Sequence, residues 1–89
     1  MKSRTTRQFR DRLAELPRDV RERAQKAYDL FKDNPAHRSL QFKQVHPRRP
    51  IWSARVTGDY RVLGHRDGDE ILWFWIGPHA EYDRIIAQR

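Results

Sequence analysis

The sequence contains no cysteine, so it offers neither disulfide bonds nor thiolate chemistry. Its four histidines have no HxxH or HxH spacing, its carboxylates do not cluster, and its four glycines are scattered at predicted turns. These absences argue against a metal ligand set and a glycine-rich phosphate loop, so we expect no metal and no cofactor. No apolar run approaches the roughly 20 residues that a spanning helix needs, and no apolar stretch typical of a signal peptide follows Met1. We therefore expect no membrane partner and, by default, a cytoplasmic location.

What the sequence has in excess is positive charge. Its 89 residues carry 19 lysines and arginines against 12 acidic residues, a formal net charge of +7. Most of these cations are arginines, whose planar guanidinium binds phosphate in a bidentate way. Only 37% of the residues are hydrophobic, but 11% are aromatic, and large rings bury enough area to build a small core. The composition predicts one folded domain over residues 1–89 with a polyanionic partner, either nucleic acid or an acidic protein.

The N-terminal third has the periodicity of two helices. Thr5 or Thr6 is a suitable N-cap for a helix that begins near Arg7, in which apolar residues follow spacings of four and three (Phe9, Leu13, Leu16). Pro17 interrupts this helix and suits the first turn of a second one, which ends near Asp33. The apolar stripe of the second helix consists of Val20, Ala24, Ala27, Tyr28 and Phe31, flanked by Leu30. The two helices predict an antiparallel helical hairpin.

After residue 40 the apolar period becomes that of strands. Strands are predicted at residues 40–45, 51–57, 60–66 and 71–76, and a short helix at residues 79–89 with Tyr82, Ile85 and Ile86 facing inward. Asp67-Gly68 is a strong hairpin signal, and the run from Ile71 to Ile76 is apolar on both faces, as in a central strand. The fold class is therefore α+β: a helical hairpin packed on a mainly antiparallel meander of about four strands, followed by a short C-terminal helix.

The turn at residues 57–59 decides which side chains share a face of the sheet. If it holds three residues, Val56 lies opposite Tyr60, and the apolar residues share the core face (Trp52, Ala54, Val56, Tyr60, Val62). Arg55 and Arg61 then lie together on the other, polar face. A two-residue turn would separate them, because a one-residue slip reverses every side chain. We predict the three-residue turn, which leaves two adjacent guanidiniums that repel each other unless an anion lies between them.

Four stretches, together with their spacing, resemble the RelE/ParE toxin superfamily. They are LPRDV (16–20), NPAHRSLQFK (34–43), WSARVTGDYR (52–61) and WFWIGPHAEYD (73–83). The resemblance implies a RelE-like fold with a very short N-terminal strand near residues 2–5. It also implies the toxin of a type II toxin–antitoxin pair, neutralised by an antitoxin with an acidic or amphipathic segment. In the RelE branch the activity is cleavage of messenger RNA in the ribosomal A site, without a metal.

The resemblance also assigns roles to individual residues. The superfamily's strand arginine corresponds to Arg61, its basic or histidine position to His79, and its C-terminal tyrosine to Tyr82. RNA cleavage needs proton transfers and cations that stabilise the phosphorane, so His79 and Tyr82 are candidate proton-transfer groups and Arg61 a candidate catalytic cation. Phosphate or RNA binding is expected of four other basic residues (Arg55, Lys43, Arg48, Arg49).

Each assignment has a structural alternative. Arg61 and Arg55 are also compatible with solvated strand residues, His79 with a residue at a helix start, and Tyr82 with a core aromatic. The sequence also departs from the family prototype, since the prototype's lysine pair aligns with Ile51 and Ser53, neither of which carries charge. A second hypothesis is therefore a binding protein without catalysis, either a ParE-like gyrase inhibitor or a degenerate toxin that binds only its antitoxin.

Overall fold

The computed structural model describes residues 1–88, which begin with a short strand and two helices. Strand β1 (Lys2–Thr5) leads directly into α1 (Arg7–Ala14), and α2 (Arg18–Asp33) follows after Pro17. Thr6 is the N-cap of α1, and its hydroxyl accepts the backbone N–H of Phe9 at 3.1 Å. Both helices, the threonine cap and the short N-terminal strand are as predicted. Within residues 1–88 no helix is long and apolar enough to cross a bilayer.

The sheet has five strands rather than about four. Its other strands are β2 (Lys43–Gln44), β3 (Ile51–Arg55), β4 (Tyr60–Asp67) and β5 (Glu70–Pro78), and the spatial order is β1-β5-β4-β3-β2. β1 runs parallel to β5 and the other pairs are antiparallel. A terminal helix, α3 (His79–Ala87), follows directly after β5. The predicted meander is therefore present, extended on one side by a parallel strand.

The first predicted strand of the meander, residues 40–45, is largely wrong. Leu40 ends a 3-10 turn (Arg38–Leu40), which the His37 side chain caps by accepting the N–H of Ser39. Gln41 then adopts a left-handed conformation with φ of 47°, which interrupts an extended run. The paired strand is therefore only two residues long. The last strand, by contrast, is longer than predicted. It was expected to end at Ile76, but β5 continues through Gly77 and Pro78.

The helical hairpin covers one face of the sheet and forms the main core there. Its buried residues come from α1 and α2, from the 3-10 turn and from strands β3, β4 and β5 (Phe9, Ala24, Phe31, Leu40, Ala54, Val62, Ile71, Trp73, Ile76). The Phe31 ring packs edge-on against Trp73 and Phe42, with centroids 5.4 and 5.0 Å apart. Of the predicted core face, Ala54 and Val62 are buried in this core and Trp52 and Val56 pack against it, whereas Tyr60 is not part of it.

A bulge in β5 builds a second core on the opposite face. Leu63 pairs with Trp75 but Gly64 pairs with Trp73, so one residue of β5 is skipped. Trp73 therefore packs in the main core, whereas Trp75 packs with Leu63 and Tyr82 in a second cluster beneath α3. The face that we predicted to be polar is consequently covered over its middle, where Ser53 is buried, and Arg55 and Arg61 lie at the strand ends next to the β3–β4 turn.

The bulge depends on a glycine, which makes a prediction about stability. A Cβ added at Gly64 would lie 2.7 Å from a Trp73 ring carbon and 2.9 Å from Cγ1 of Ile71. Gly64→Ala is expected to lower the free energy of unfolding by about 1–3 kcal/mol, measured by urea denaturation. Gly58→Ala is the matched control, because its Cβ would meet only Arg55 at 3.7 Å. Equal losses in the two variants would contradict this explanation.

Candidate functional site

Arg55 and Arg61 are cross-strand neighbours at the end of the β3–β4 hairpin. The register pairs their Cα atoms, and the N–H of Val56 donates to the carbonyl of Tyr60 at 3.1 Å, as the three-residue turn requires. The predicted register is therefore confirmed. Side chains directly opposite each other have Cβ atoms about 4.5–5.5 Å apart and lie on the same face. Within residues 1–88 neither arginine has a carboxylate partner in an ion pair.

The turn itself fixes the orientation of Arg61. Its Nη1 donates to the carbonyl oxygens of Thr57, Tyr60 (3.0 Å) and Gly58 (3.4 Å). In the part of the chain that the structure describes, its Nε and Nη2 donate to no protein acceptor. One nitrogen thus anchors the guanidinium while the others remain available to an anion such as a phosphate oxygen.

The electrostatic environment of Arg61 is unfavourable to its charge. Burial lowers the pKa of Arg61 from its usual value, and the charge of Arg55 lowers it further. Tyr82, Asp83 and Asp59 act in the opposite direction and raise that pKa. The cation therefore lies close to α3, in surroundings that solvate it less well than water does. A bound anion would compensate both effects.

His79 lies beside the same turn. Strand β5 ends with Pro78 opposite Tyr60, and Pro78 is the N-cap of α3, so His79 is the first residue of that helix. The backbone N–H of His79 donates to the carbonyl of Asp59 at 2.7 Å. The β3–β4 turn therefore holds both Arg61 and the start of α3, and it brings together two of the predicted site residues.

A carboxylate orients the imidazole. Nδ1 of His79 lies 2.9 Å from Oδ2 of Asp83, one helical turn further along α3. A carboxylate on Nδ1 fixes the tautomer in which this nitrogen carries hydrogen, so Nε2 is the nitrogen left for chemistry. Asp83 was not among the predicted site residues. The signal that identifies it is the four-residue spacing from His79 within a predicted helix.

Tyr82 lies in the second core rather than in solvent. Its residue is 5% exposed, and its hydroxyl hydrogen-bonds Oγ of Ser53, 3.0 Å away. Its ring contacts the His79 ring edge-on, with centroids 5.5 Å apart. Ser53 is also buried, and no local sequence pattern indicated this contact between β3 and α3. Tyr82 is thus close to the site, but its hydroxyl forms a hydrogen bond inside the protein.

The remaining predicted cations are more distant from Arg61. Lys43 pairs with Ser53, so its exposed side chain is on the same sheet face as Arg61, but on the edge strand β2. Arg48 and Arg49 lie in the β2–β3 loop, where both backbone N–H groups donate to Nδ1 of His46. This loop leads into the start of β3, about 13 Å along the strand from Arg55. The structure therefore does not bring the two loop arginines to Arg61.

No group of three or more histidine and acidic side chains able to hold a metal occurs within residues 1–88. The chemistry of the site rests instead on two guanidiniums, an imidazole with its carboxylate, and a buried phenol. Such a set is able to bind a phosphate group and to transfer a proton beside it.

Solved structures with the same fold include the RelE chains of toxin–antitoxin complexes. The archaeal RelE–RelB complex from Pyrococcus horikoshii matches with a TM-score of 0.69 and 21% identity, over 86% of this chain and 92% of that one. The RelB–RelE complex from Methanococcus jannaschii has a TM-score of 0.72 and 18% identity, over 91% and 96% of the two chains. YafQ from Escherichia coli has a TM-score of 0.68 and 13% identity, over 91% of this chain and 96% of that one. At these identities the likeness shows the fold alone.

Sequence comparison supplies the family. No curated protein sequence is significantly similar to the chain. The model of the ParE-like toxin domain, however, matches residues 18–84, which include α2, the antiparallel meander and most of α3. The chain therefore belongs to the ParE-like toxin family, within the RelE/ParE toxin superfamily.

Proposed function

We propose that this protein is the toxin of a toxin–antitoxin pair and cleaves messenger RNA in the ribosomal A site without a metal. The observation that carries the proposal is the arrangement at the β3–β4 turn: the turn anchors Arg61, which is paired with Arg55, and it hydrogen-bonds the backbone of His79, whose imidazole is oriented by Asp83. The RelB–RelE complexes among the structural neighbours support an antitoxin as the partner.

In this reaction the 2′-oxygen of one nucleotide attacks the adjacent phosphorus and the 5′-oxygen of the next nucleotide leaves. The 2′-hydroxyl loses a proton, the leaving oxygen gains one, and the phosphorane carries extra negative charge between the two events. We assign one of the two proton transfers to Nε2 of His79, oriented by Asp83. Arg61 and Arg55 bind the phosphate oxygens and stabilise the developing charge.

Tyr82 has a supporting role in this proposal. Because its hydroxyl is bonded to Ser53 and its ring is buried against His79, we assign it to positioning the imidazole rather than to proton transfer. We assign the binding of RNA phosphates other than the scissile one to Lys43, Arg48 and Arg49. They lie at the far edge of the same face and in the loop beyond it.

A second candidate function is binding without cleavage, by a gyrase inhibitor or by a degenerate toxin. Two observations favour it: the matching family model is the ParE-like one, and the positions that align with the prototype's lysines hold Ile51 and the buried Ser53. Neither of these two residues supplies a cation or a base to the site.

Conditional expression in a bacterium separates these functions. Wild type is expected to arrest growth with transcripts cut at codons, and the Arg61→Ala and His79→Ala variants are expected to relieve the arrest. Arg18→Ala is the matched control, because Arg18 is exposed on α2 and pairs with Glu22. Arrest with intact transcripts and a DNA-damage response would identify a gyrase inhibitor instead. Absence of arrest by soluble wild-type protein would identify a degenerate toxin.

A further inference from the structure

A groove lies between α2 and the β3–β4 turn, next to the candidate site. Its volume is about 450 Å³, and its walls carry three cations, Arg23 and Lys26 from α2 and Arg55 from β3. Its lining also includes four aliphatic residues, Ala27, Leu30, Leu40 and Val56, beside the polar Ser39 and Thr57. We refer to the three cations as the basic rim of the groove and to the four aliphatic residues as its floor.

The cations of this rim lack internal partners. Within residues 1–88 Arg23, Lys26 and Arg55 form no ion pair, whereas other cations of α2 do: Arg18 with Glu22 at 3.1 Å and Lys32 with Asp29 at 3.8 Å. Arg23 and Lys26 are three residues apart on the helix and so are neighbours of like charge. Asp19 and Glu22 precede Arg23 and Lys26 by four residues on α2, but no carboxylate of the described residues lies within ion-pair distance of the rim cations.

The floor of the groove continues into a small cavity. This cavity, of about 40 Å³, lies beneath Ala27, Leu40, Arg55 and Val56, and reaches the main core at Ala24 and Phe31. This is more than the roughly 10–15 Å³ that one water molecule needs, so the cavity has room for a small group. Its walls are almost wholly apolar, so it suits the end of an aliphatic side chain rather than a polar group.

We infer that this groove is a docking site for an acidic amphipathic segment of the antitoxin, which inserts an apolar side chain into the cavity and places carboxylates on the basic rim. The inference rests on the proposed function, because it identifies the surface through which the toxin of that pair binds its partner. The groove itself offers no aromatic ring on which a base would stack, which favours a peptide over RNA as its occupant.

Arg55 links this groove to the candidate site. The same residue forms part of the groove wall and is the cross-strand partner of Arg61. A carboxylate that binds Arg55 from the groove removes a cation from the phosphate site. Docking there therefore couples neutralisation to the catalytic arginine pair without covering the whole sheet face.

The test uses the antitoxin, identified as the neighbouring gene product whose co-expression relieves the growth arrest, purified separately and titrated into the full-length toxin. The double variant Arg23→Glu, Lys26→Glu is expected to bind it at least about 30-fold more weakly at low salt, with a difference that shrinks as salt rises. The matched control is Arg7→Glu, Arg18→Glu, which makes the same change of charge at exposed helix positions outside the groove. It is expected to stay within about threefold of wild type.

The cavity has its own variant. Ala27→Leu fills the mouth of the cavity without changing charge and is also expected to weaken binding, while circular dichroism and melting temperature verify the fold.

In cells, the Arg23→Glu, Lys26→Glu toxin should still arrest growth, but co-expression of the antitoxin should no longer relieve that arrest.

Three results would overturn the inference. They are equal losses in the groove and control pairs, undiminished binding by the groove pair, and a selective loss of single-stranded RNA binding in the groove pair, which would make the groove an RNA site. Failure of the proposed function gives a different result. In that case the wild-type toxin leaves transcripts intact, and the outcome of the antitoxin titration does not affect this.

Discussion

Replacing Arg61 with alanine is expected to lower the rate of messenger RNA cleavage by about 10²–10³-fold, the range for removing one preorganised charge-stabilising donor. The reason is the geometry of the turn: Nη1 is anchored to carbonyls of residues 57, 58 and 60, so the free face of the guanidinium is fixed before RNA arrives. The measurement is the rate of transcript cleavage with purified toxin and programmed ribosomes. Arg61→Lys is expected to lose most of the activity too, because an ammonium lacks the planar fork.

The matched control is Arg66→Ala, which removes the same charge from the same strand. Arg66 packs over the Trp52 ring at 4.4 Å and donates to the carbonyl of Gly68, far from the β3–β4 turn. It should retain cleavage at a temperature where it remains folded. Equal activity of the Arg61 and Arg66 variants would show that Arg61 is a solvated strand residue and would remove the catalytic proposal.

The cost of holding Arg61 in place supports a functional role. Its pKa is lowered in the fold by burial and by Arg55, so the charged form is less favoured in the folded protein than in the unfolded chain. A cation with a lowered pKa lowers stability while it is charged, which is the case throughout the physiological range. The fold thus keeps two adjacent guanidiniums despite an electrostatic penalty, and a bound phosphate would relieve that penalty.

The sequence sufficed to predict this arginine pair because the core side chains of β3 and β4 leave little choice of register. Ala54 and Val62 lie together in the main core only if Arg55 is paired with Arg61. The burial of the apolar side chains therefore determines which polar residues are cross-strand neighbours. The helices were predictable for a related reason, since the threonine cap and the apolar spacing agree along α1.

The parts that were not predictable depend on contacts between distant residues. Residues 71–76 are apolar at every position, so no alternation indicates that a bulge turns Trp75 away from Trp73. The bond between Ser53 and Tyr82 joins β3 to α3 and likewise leaves no local pattern. The strand assigned to residues 40–45 failed because a capped 3-10 turn, specified by His37 and Ser39, competes with its apolar alternation.

Replacing His79 with alanine is expected to lower the cleavage rate by about 10²–10⁴-fold, the usual contribution of general acid–base catalysis. Because the imidazole acts on the reacting proton and not on the phosphate charge, the loss should fall on the single-turnover rate. The affinity for an RNA with a 2′-deoxy scissile nucleotide, which binds but is not cleaved, should stay close to that of wild type. Arg61→Ala is expected to weaken that affinity as well, which separates the two roles.

Two further variants test how the imidazole is oriented. Asp83→Asn replaces the carboxylate on Nδ1 with an amide, which weakens the preference for the tautomer that leaves Nε2 free, so a smaller loss than that of His79→Ala is expected. Tyr82→Phe keeps the buried ring against His79 and removes only the hydroxyl that binds Ser53. Because the ring does the positioning, cleavage by folded Tyr82→Phe should stay within a few-fold of wild type. A loss as large as that of His79→Ala would make the phenol a proton donor, and wild-type rates in His79→Ala would leave the arginine pair as a binding site without an acid or base.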